Sequence, residues 1–268
     1  MEHEEYRKLA IITGASSGIG FELARIFAKN NYDLVISSNS DKITDKAKIL
    51  RQYEVEVTEV IADLATAKGV EKLFEKINSL NRPLDVAVLN AGVGLGGEFA
   101  ETTWEEELNM INLNVVNLVY LAKLVLKEMV KFNDGKILFT SSLAAEMPGP
   151  YYAVYAATKA FVQSFAEAIH YEMDDTDKNI SITSLQPGAT DTNFFARADM
   201  ENTPAGSAQK DDAKKVAQQA FDALMSGKDH VVAGSIKNRI QSTAAKFMSE
   251  SLGAAAQAKN VKPKNLDQ

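Results

Sequence analysis

Short runs that are apolar at nearly every position alternate along the chain with stretches that are apolar only every third or fourth residue. KLAIIT (8–13), DLVIS (33–37), VEVTEVIA (55–62), LDVAVLN (84–90), KILFTS (136–141) and NISITSLQ (179–186) are the clearest runs, and DHVVAG (229–234) is a weaker one. Their length and β-branched content predict strands, and their unbroken rather than alternating hydrophobicity predicts burial on both faces. Between them, GFELARIFAKN (20–30), ATAKGVEKLFEKINSL (65–80), a long stretch at 103–131 and another at 153–174 show helical periodicity. Strict alternation of this kind implies an α/β chain with a doubly wound parallel sheet of about seven strands and helices on both faces. No repeat or low-complexity linker divides the 268 residues, so they read as a single domain.

Two regions break the rhythm. Residues 191–214 are long, polar and punctuated by Pro204 and Gly206, which reads as a functional loop insertion. From Ser235 the pattern is helical to about Ala258, and KNVKPKNLDQ (259–268) reads as a flexible tail.

Composition removes several chemistries. The chain has no cysteine, which excludes disulfides, thiolate metal sites and a cysteine nucleophile. Its three histidines (His3, His170 and His230) are scattered, so neither a histidine metal site nor a Ser-His-Asp triad is expected. A formal net charge of −7 argues against nucleic acid as a partner. The start, MEHEEYRK, carries no apolar core of a secretory signal. No apolar run approaches the ~20 residues of a membrane span. A cytoplasmic protein without a membrane partner is the expectation.

TGASSGIG (13–20) follows the first strand and opens a helix. That context turns a glycine-rich turn into a phosphate cradle. Gly14 permits the tight turn, Gly18 lets backbone approach a pyrophosphate, and Gly20 lets the helix pack on the sheet while its N-terminus offers free N–H groups. The dinucleotide pattern of a Rossmann-type domain also wants an acid at the end of the second strand to grip a ribose 2′-hydroxyl. Here that strand ends Ser37-Ser38-Asn39-Ser40, with Asp33 at its start and Asp41 beyond its tip. With no acid at the tip to repel a 2′-phosphate, and with Ser38, Asn39 and Ser40 as donors, NADP(H) is favoured and NAD(H) remains possible. Lys42 either adds charge there or is an ordinary exposed helix lysine.

YAATK (155–159) sets a phenol and an ammonium four residues apart, on one face if the segment is helical. A free tyrosine titrates near 10, too high for a base at neutrality. Lowering it by ~3 units takes roughly 4 kcal/mol, about what one ammonium at ~4 Å supplies at an effective dielectric near 20. The small residues between leave room for a ligand against the helix.

These motifs together resemble the short-chain dehydrogenase/reductase family, over nearly all of Lys8–Gly234. The resemblance implies a cofactor loop at TGASSGIG, with Ser16, Ser17 and Ile19 between its glycines. It implies an adenine contact at ADL (62–64), through Asp63 and Leu64, although Asp63 is equally suited to cap the helix that follows. LNAGVG (89–94) is similar to the family's N-A-G segment, with Asn90, Ala91 and Gly92 beside the cofactor. QPGATDT (186–192) is similar to the loop holding the nicotinamide end, through Pro187, Gly188, Thr190 and Thr192. Thr192 has a competing use as a helix N-cap. Four residues would be catalytic by this likeness. Tyr155 exchanges the proton, Lys159 also holds the nicotinamide ribose, Ser142 rather than its neighbour Ser141 orients the substrate oxygen, and Asn114 holds a relay water. The departures are LNAG in place of N-N-A-G, and Asn117 where glycine is common.

The expected reaction is NAD(P)-dependent interconversion of a ketone or aldehyde and an alcohol by hydride transfer. A non-catalytic NAD(P)-binding regulator and a non-redox enzyme on the same fold stand as alternatives. Val93, Leu95, Met147, Tyr151, Tyr152, Phe194 and Phe195 suggest an apolar or aromatic small-molecule substrate, and no arginine other than Arg197 offers itself as a carboxylate clamp. Stripes at Leu118, Val119, Ala122, Val125, Leu126 and Met129, and at Phe161, Val162, Phe165 and Ile169, pack on the sheet in part. In proteins this chain resembles, these helices also pair between subunits, which implies a homodimer or homotetramer.

Overall fold

The computed structural model of the protein describes residues 7–263. All seven expected strands form, each within two residues of its expected bounds: β1 (Leu9–Thr13), β2 (Asp33–Ser38), β3 (Val57–Ile61), β4 (Val86–Leu89), β5 (Gly135–Thr140), β6 (Ile180–Pro187) and β7 (His230–Ala233). They make one parallel sheet in the order β3-β2-β1-β4-β5-β6-β7. Every position of β1 and β2 is buried, because helices cover both faces.

Side-chain alternation splits each strand between two cores. Ala10, Ile12, Leu34 and Ile36 pack under α1 (Gly18–Lys29), α2 (Lys42–Leu50) and α9, the last running Ala213–Met225. Leu9, Ile11, Val35 and Phe139 pack under α3 (Ala67–Asn78), α5 (Asn117–Phe132) and α6, which spans Ala153–Asp175. At the β2 end of the first strand pair, buried Asp33 accepts from Arg82 Nη1 at 2.8 Å and from the Glu56 N–H at 2.9 Å.

The expected single helix over 103–131 is interrupted. Thr103 caps α4 (Trp104–Ile111) by accepting from the Glu106 N–H, and Asn112–Val116 then form a π turn before α5. The turn closes through the Asn117 N–H on the Asn112 carbonyl, and Asn117 is buried. Trp104–Phe132 as a whole is long and apolar enough to cross a membrane, which corrects the expectation that no such run exists. Its Leu118, Leu121, Ala122, Val125 and Met129 are packed on the sheet, as in the core helix of an α/β domain.

The 191–214 segment is not an unstructured loop. It holds α7 (Phe194–Arg197) and α8 (Pro204–Ser207), and a bridge pairs Thr190 with Asp211. The helix expected from Ser235 is two helices, α10 (Ile236–Ala245) and α11 (Glu250–Val261), broken at Lys246–Ser249. Of the expected tail, Lys259–Val261 continue α11 and residues 264–268 lie outside the described residues.

Candidate active site

Strands β1 and β4 are neighbours in the sheet, but the chain leaves them in opposite directions, to β2 and to β5. A crevice opens at the carboxyl end of the sheet where the winding reverses. A cavity of about 1020 Å³ fills it, walled by the glycine loop on one side and by β5, α6, α7 and α11 on the other.

Gly14 and Gly18 have φ of +67° and +56°, a conformation that costs other residues but not glycine. A Cβ on Gly14 would stand 3.0 Å from the Ala91 Cα, so the turn presses directly on the segment after β4. That segment is pinned from β1. The Thr13 hydroxyl accepts from the Asn90 and Ala91 N–H groups at 2.9 and 3.0 Å, and Asn90 Nδ2 donates to the Thr13 carbonyl at 3.1 Å. Asn90 Oδ1 accepts from Thr140 on β5, so one amide ties three strands at the cavity floor.

At the tip of β2, Ser38 Oγ donates to Ser16 Oγ at 2.9 Å, and Ser38 and Asn39 line the cavity. Ser40, expected beside them, does not. Its hydroxyl accepts from the Lys42 N–H at 3.3 Å, which turns it toward the start of α2, and Lys42 is off the wall as well. Asp63 and Leu64 line the cavity. Asp63 Oδ1 accepts from the Ala65 N–H, while the cap of α3 is Thr66, which accepts from the Gly69 N–H. Pro187, Gly188, Thr190 and Thr192 close the opposite end. Thr192 Oγ1 accepts from the Phe194 N–H at 3.2 Å, so it lines the cavity and steadies the start of α7 together.

Tyr155, Lys159 and Ser142 face the same cavity. Tyr155 and Lys159 are buried, one turn apart on α6, with Lys159 Nζ 5.9 Å from the phenol ring centre. Lys159 Nζ donates to the Thr140 carbonyl at 2.8 Å. Ser141, the rejected neighbour, donates to the Lys159 carbonyl at 2.8 Å and is a structural tie. Ser142 accepts from the Ala144 N–H at 3.1 Å and is hydrogen-bonded to Tyr155. Burial pushes the Tyr155 phenol up to about 12, against a lowering by Ser142, and pushes the Lys159 ammonium down to about 8. The expected lowering of the phenol by its lysine is therefore not found. At 5.9 Å and turned to Thr140, the ammonium does not offset the loss of water around the ring.

Asn114 lies behind this wall rather than on it. It is fully buried in the π turn, donates from Nδ2 to the Val93 carbonyl (2.9 Å) and Thr158 Oγ1 (3.1 Å), and accepts from the Val93 N–H (3.1 Å). Gly92 runs between it and the lysine. A Cβ there would lie 3.1 Å from Asn114 Oδ1 and 3.2 Å from Lys159 Nζ.

The remaining wall is mixed, with an apolar part that several segments share. Val93, Tyr152, Phe194 and Phe195 are on it as expected, and the Tyr155 and Phe194 rings sit 5.2 Å apart. Leu95 and Tyr151 instead line a separate small pocket, and Met147 packs under Gly253 of α11. Met200, Ala205 and Val261 add to the apolar part, while Lys210, Asp211, Lys237, Asn238, Gln241, Gln257 and Asn260 add polar groups. Periodicity marked α11 as a helix but gave no sign that it closes over the site. Arg197 is on the wall too, reaching toward Ser17 of the glycine loop at 3.5 Å.

Comparison with known proteins agrees with this geometry. The model of the short chain dehydrogenase family matches residues 8–203. An uncharacterized oxidoreductase of Schizosaccharomyces pombe is 32% identical over 69% of this chain, a stretch spanning 61% of that protein. The oxidoreductase UcpA of Salmonella typhimurium is 29% identical, over 81% of this chain and 80% of that one. Among solved structures, a short-chain dehydrogenase from Sphingobium yanoikuyae in complex with NADPH superposes with a TM-score of 0.78 at 26% identity, covering 84% of this chain and 87% of that one. The alcohol dehydrogenase of Thermococcus sibiricus complexed with 5-hydroxy-NADP gives 0.73 at 27%, covering 86% and 97%. With its glycine cradle, its Ser-Tyr-Lys wall and a family match over most of its length, the chain is an enzyme of the short-chain dehydrogenase family.

Proposed function

We propose that this dehydrogenase reduces a hydrophobic ketone or aldehyde to the alcohol, with NADP(H) as the preferred cofactor. The observation that carries the reading is the meeting of Ser142, Tyr155 and Lys159 with the apolar side chains of Val93, Tyr152, Phe194 and Phe195 in the cavity that the glycine loop walls.

The cavity suits a dinucleotide. The turn at Gly14 and Gly18 exposes backbone N–H groups for a pyrophosphate. Asp63 and Leu64 would flank the adenine. Asn90, Ala91 and Gly92 would run beside the middle of the molecule, and Pro187, Gly188, Thr190 and Thr192 would hold the nicotinamide end. Ser16, Ser38 and Asn39 form a neutral, hydrogen-bonding edge where a 2′-phosphate would rest, and no carboxylate stands at the tip of β2 to repel it. NAD(H) fits the same cradle with less to hold it. The cofactor, when bound, supplies the hydride.

The chain supplies the rest. With its phenol at about 12, Tyr155 holds its proton at neutral pH and is an acid ready to protonate the carbonyl oxygen as negative charge develops there. Ser142 orients that oxygen and stabilises its charge by hydrogen bonding. Lys159, still largely charged at neutrality with a value of about 8, would hold the ribose at the nicotinamide end. Asn114 fixes the backbone at Val93 on the lysine's far side, and so supports the lysine's place. A water-relay role for it rests on the family likeness.

Titration of the purified protein with NADPH and with NADH, followed by cofactor fluorescence, tests the preference. Tighter binding of NADPH is expected. Tighter NADH binding would overturn the NADP assignment, and binding of neither would overturn the enzyme reading. Oxidation of NADPH in step with a hydrophobic ketone would separate reduction from non-redox chemistry and from a regulator that binds without turnover.

A further inference from the structure

The helices α10 and α11 face two ways. Inward, Asn238, Gln241, Gln257 and Val261 line the cavity. Outward, Ile236 and Ile240 recur at one-turn spacing, Phe247 and Met248 occupy the break between the helices, and Leu252 continues the run into α11. They are 75%, 65%, 86%, 37% and 61% exposed, a run of large apolar side chains in water where single ones are the rule.

Cations are set among them. Lys237, Arg239 and Lys246 are the charged residues of 236–249, and Glu250 at the start of α11 is the one acid of residues 236–263, in a chain whose net charge is −7. None of the three is in an ion pair among the described residues. A second copy docked here about a two-fold axis would bring these like charges together. A surface that is apolar beneath and anionic at its face answers both features at once.

We propose that the outer face of α10 and the start of α11 seats the protein on an anionic lipid surface. Phe247, Ile240 and their neighbours enter the interface, and Arg239 and Lys246 meet the headgroups, with Lys237 at the cavity rim. This replaces the sequence expectation of no membrane partner and does not depend on the catalytic reading. Because the same helices wall the cavity, seating would bring its rim close to the bilayer.

The test is co-sedimentation of the full chain with vesicles of phosphatidylcholine, alone and mixed with phosphatidylserine, at rising salt. Binding is expected to the mixed vesicles, to weaken as salt rises, and to fall at least about tenfold in an Ile240→Glu/Phe247→Glu variant and in an Arg239→Glu/Lys246→Glu variant. All these positions are exposed, so unchanged melting temperatures are expected. If a variant fails to fold, the wild-type comparison between the two lipid mixtures and its salt dependence decides. Absence of binding to either vesicle, equal binding to both, or a folded variant that still binds would overturn the proposal. So would a fall in oligomer mass on Phe247→Glu substitution, which would assign the face to a second copy.

Discussion

Tyr155 and Lys159 are both buried, and each is pushed toward its neutral form. Removing the phenolic hydroxyl with Tyr155→Phe should lower kcat for carbonyl reduction about 10²–10⁴-fold and leave cofactor affinity nearly unchanged. Steady-state rates beside a fluorescence titration check both halves. Lys159 carries a pH signature as well. Its value falls from 10.5 to about 8 on folding, so between those pH values the unfolded chain keeps a proton that the folded chain has released. Stability from this group therefore rises with pH across that window. Urea unfolding at pH 8 and pH 10 should show the wild type gaining on a Lys159→Met variant, and parallel pH responses would refute it. At the tip of β2, Asn39→Asp should shift cofactor preference toward NADH by about tenfold, roughly 1.4 kcal/mol, measured as the ratio of dissociation constants. Tyr155 and Lys159 could be singled out in the sequence because their spacing sets them on one face of one helix, whereas Ser142 and Asn114, on other segments, rested on the family likeness. The shifted values were not, since Phe194 reaches Tyr155 from α7, a separate segment, in addition to Tyr152 at the start of α6.

At the level of elements, the strands were readable because burial on both faces leaves continuous apolar runs. The π turn at Asn112–Val116 was not, since its cause is a contact far away in sequence. Asn114 bonds both backbone groups of Val93, on the segment after β4. Helix α9 was missed for another reason. Its alanines at 213, 217, 220 and 223 are buried small residues that make a weak hydrophobic signal. The start of β2 holds an ion cluster whose loss can be sized. Asp33 is buried and accepts from Arg82 Nη1 and the Glu56 N–H, while Arg7 lies 3.9 Å away and half in solvent. Asp33→Ala leaves Arg82 without its carboxylate and should destabilise the protein by about 2–4 kcal/mol, toward the lower end of the cost of breaking a buried pair. Chemical denaturation reads this directly.

For the whole molecule, the apolar stripes of α5 and α6 are largely consumed by the chain's own sheet, with Leu118, Val125, Val162 and Ile169 all in the core. What remains outside is Phe161 of the expected stripe, together with Val116, Val130, Phe132 and Tyr171. We expect these to be covered in a homodimer or homotetramer. Sedimentation at several concentrations should give a mass above the 29.2 kDa of one chain, with Phe132→Glu/Phe161→Glu shifting it toward the monomer. A cytoplasmic setting, with contact to a lipid surface through α10 and α11, is the corresponding proposal for the cell. The order of the sheet has one more consequence, for synthesis. After β4, each new strand is added at the same advancing edge, so β5, β6 and β7 can dock in the order in which the ribosome releases them. The glycine loop and its partner segment at Asn90 are in place early. The α10–α11 wall trails them and, at about 5–20 residues per second, leaves a nascent chain for roughly 10 to 30 seconds with a nucleotide cradle and no enclosure for a substrate.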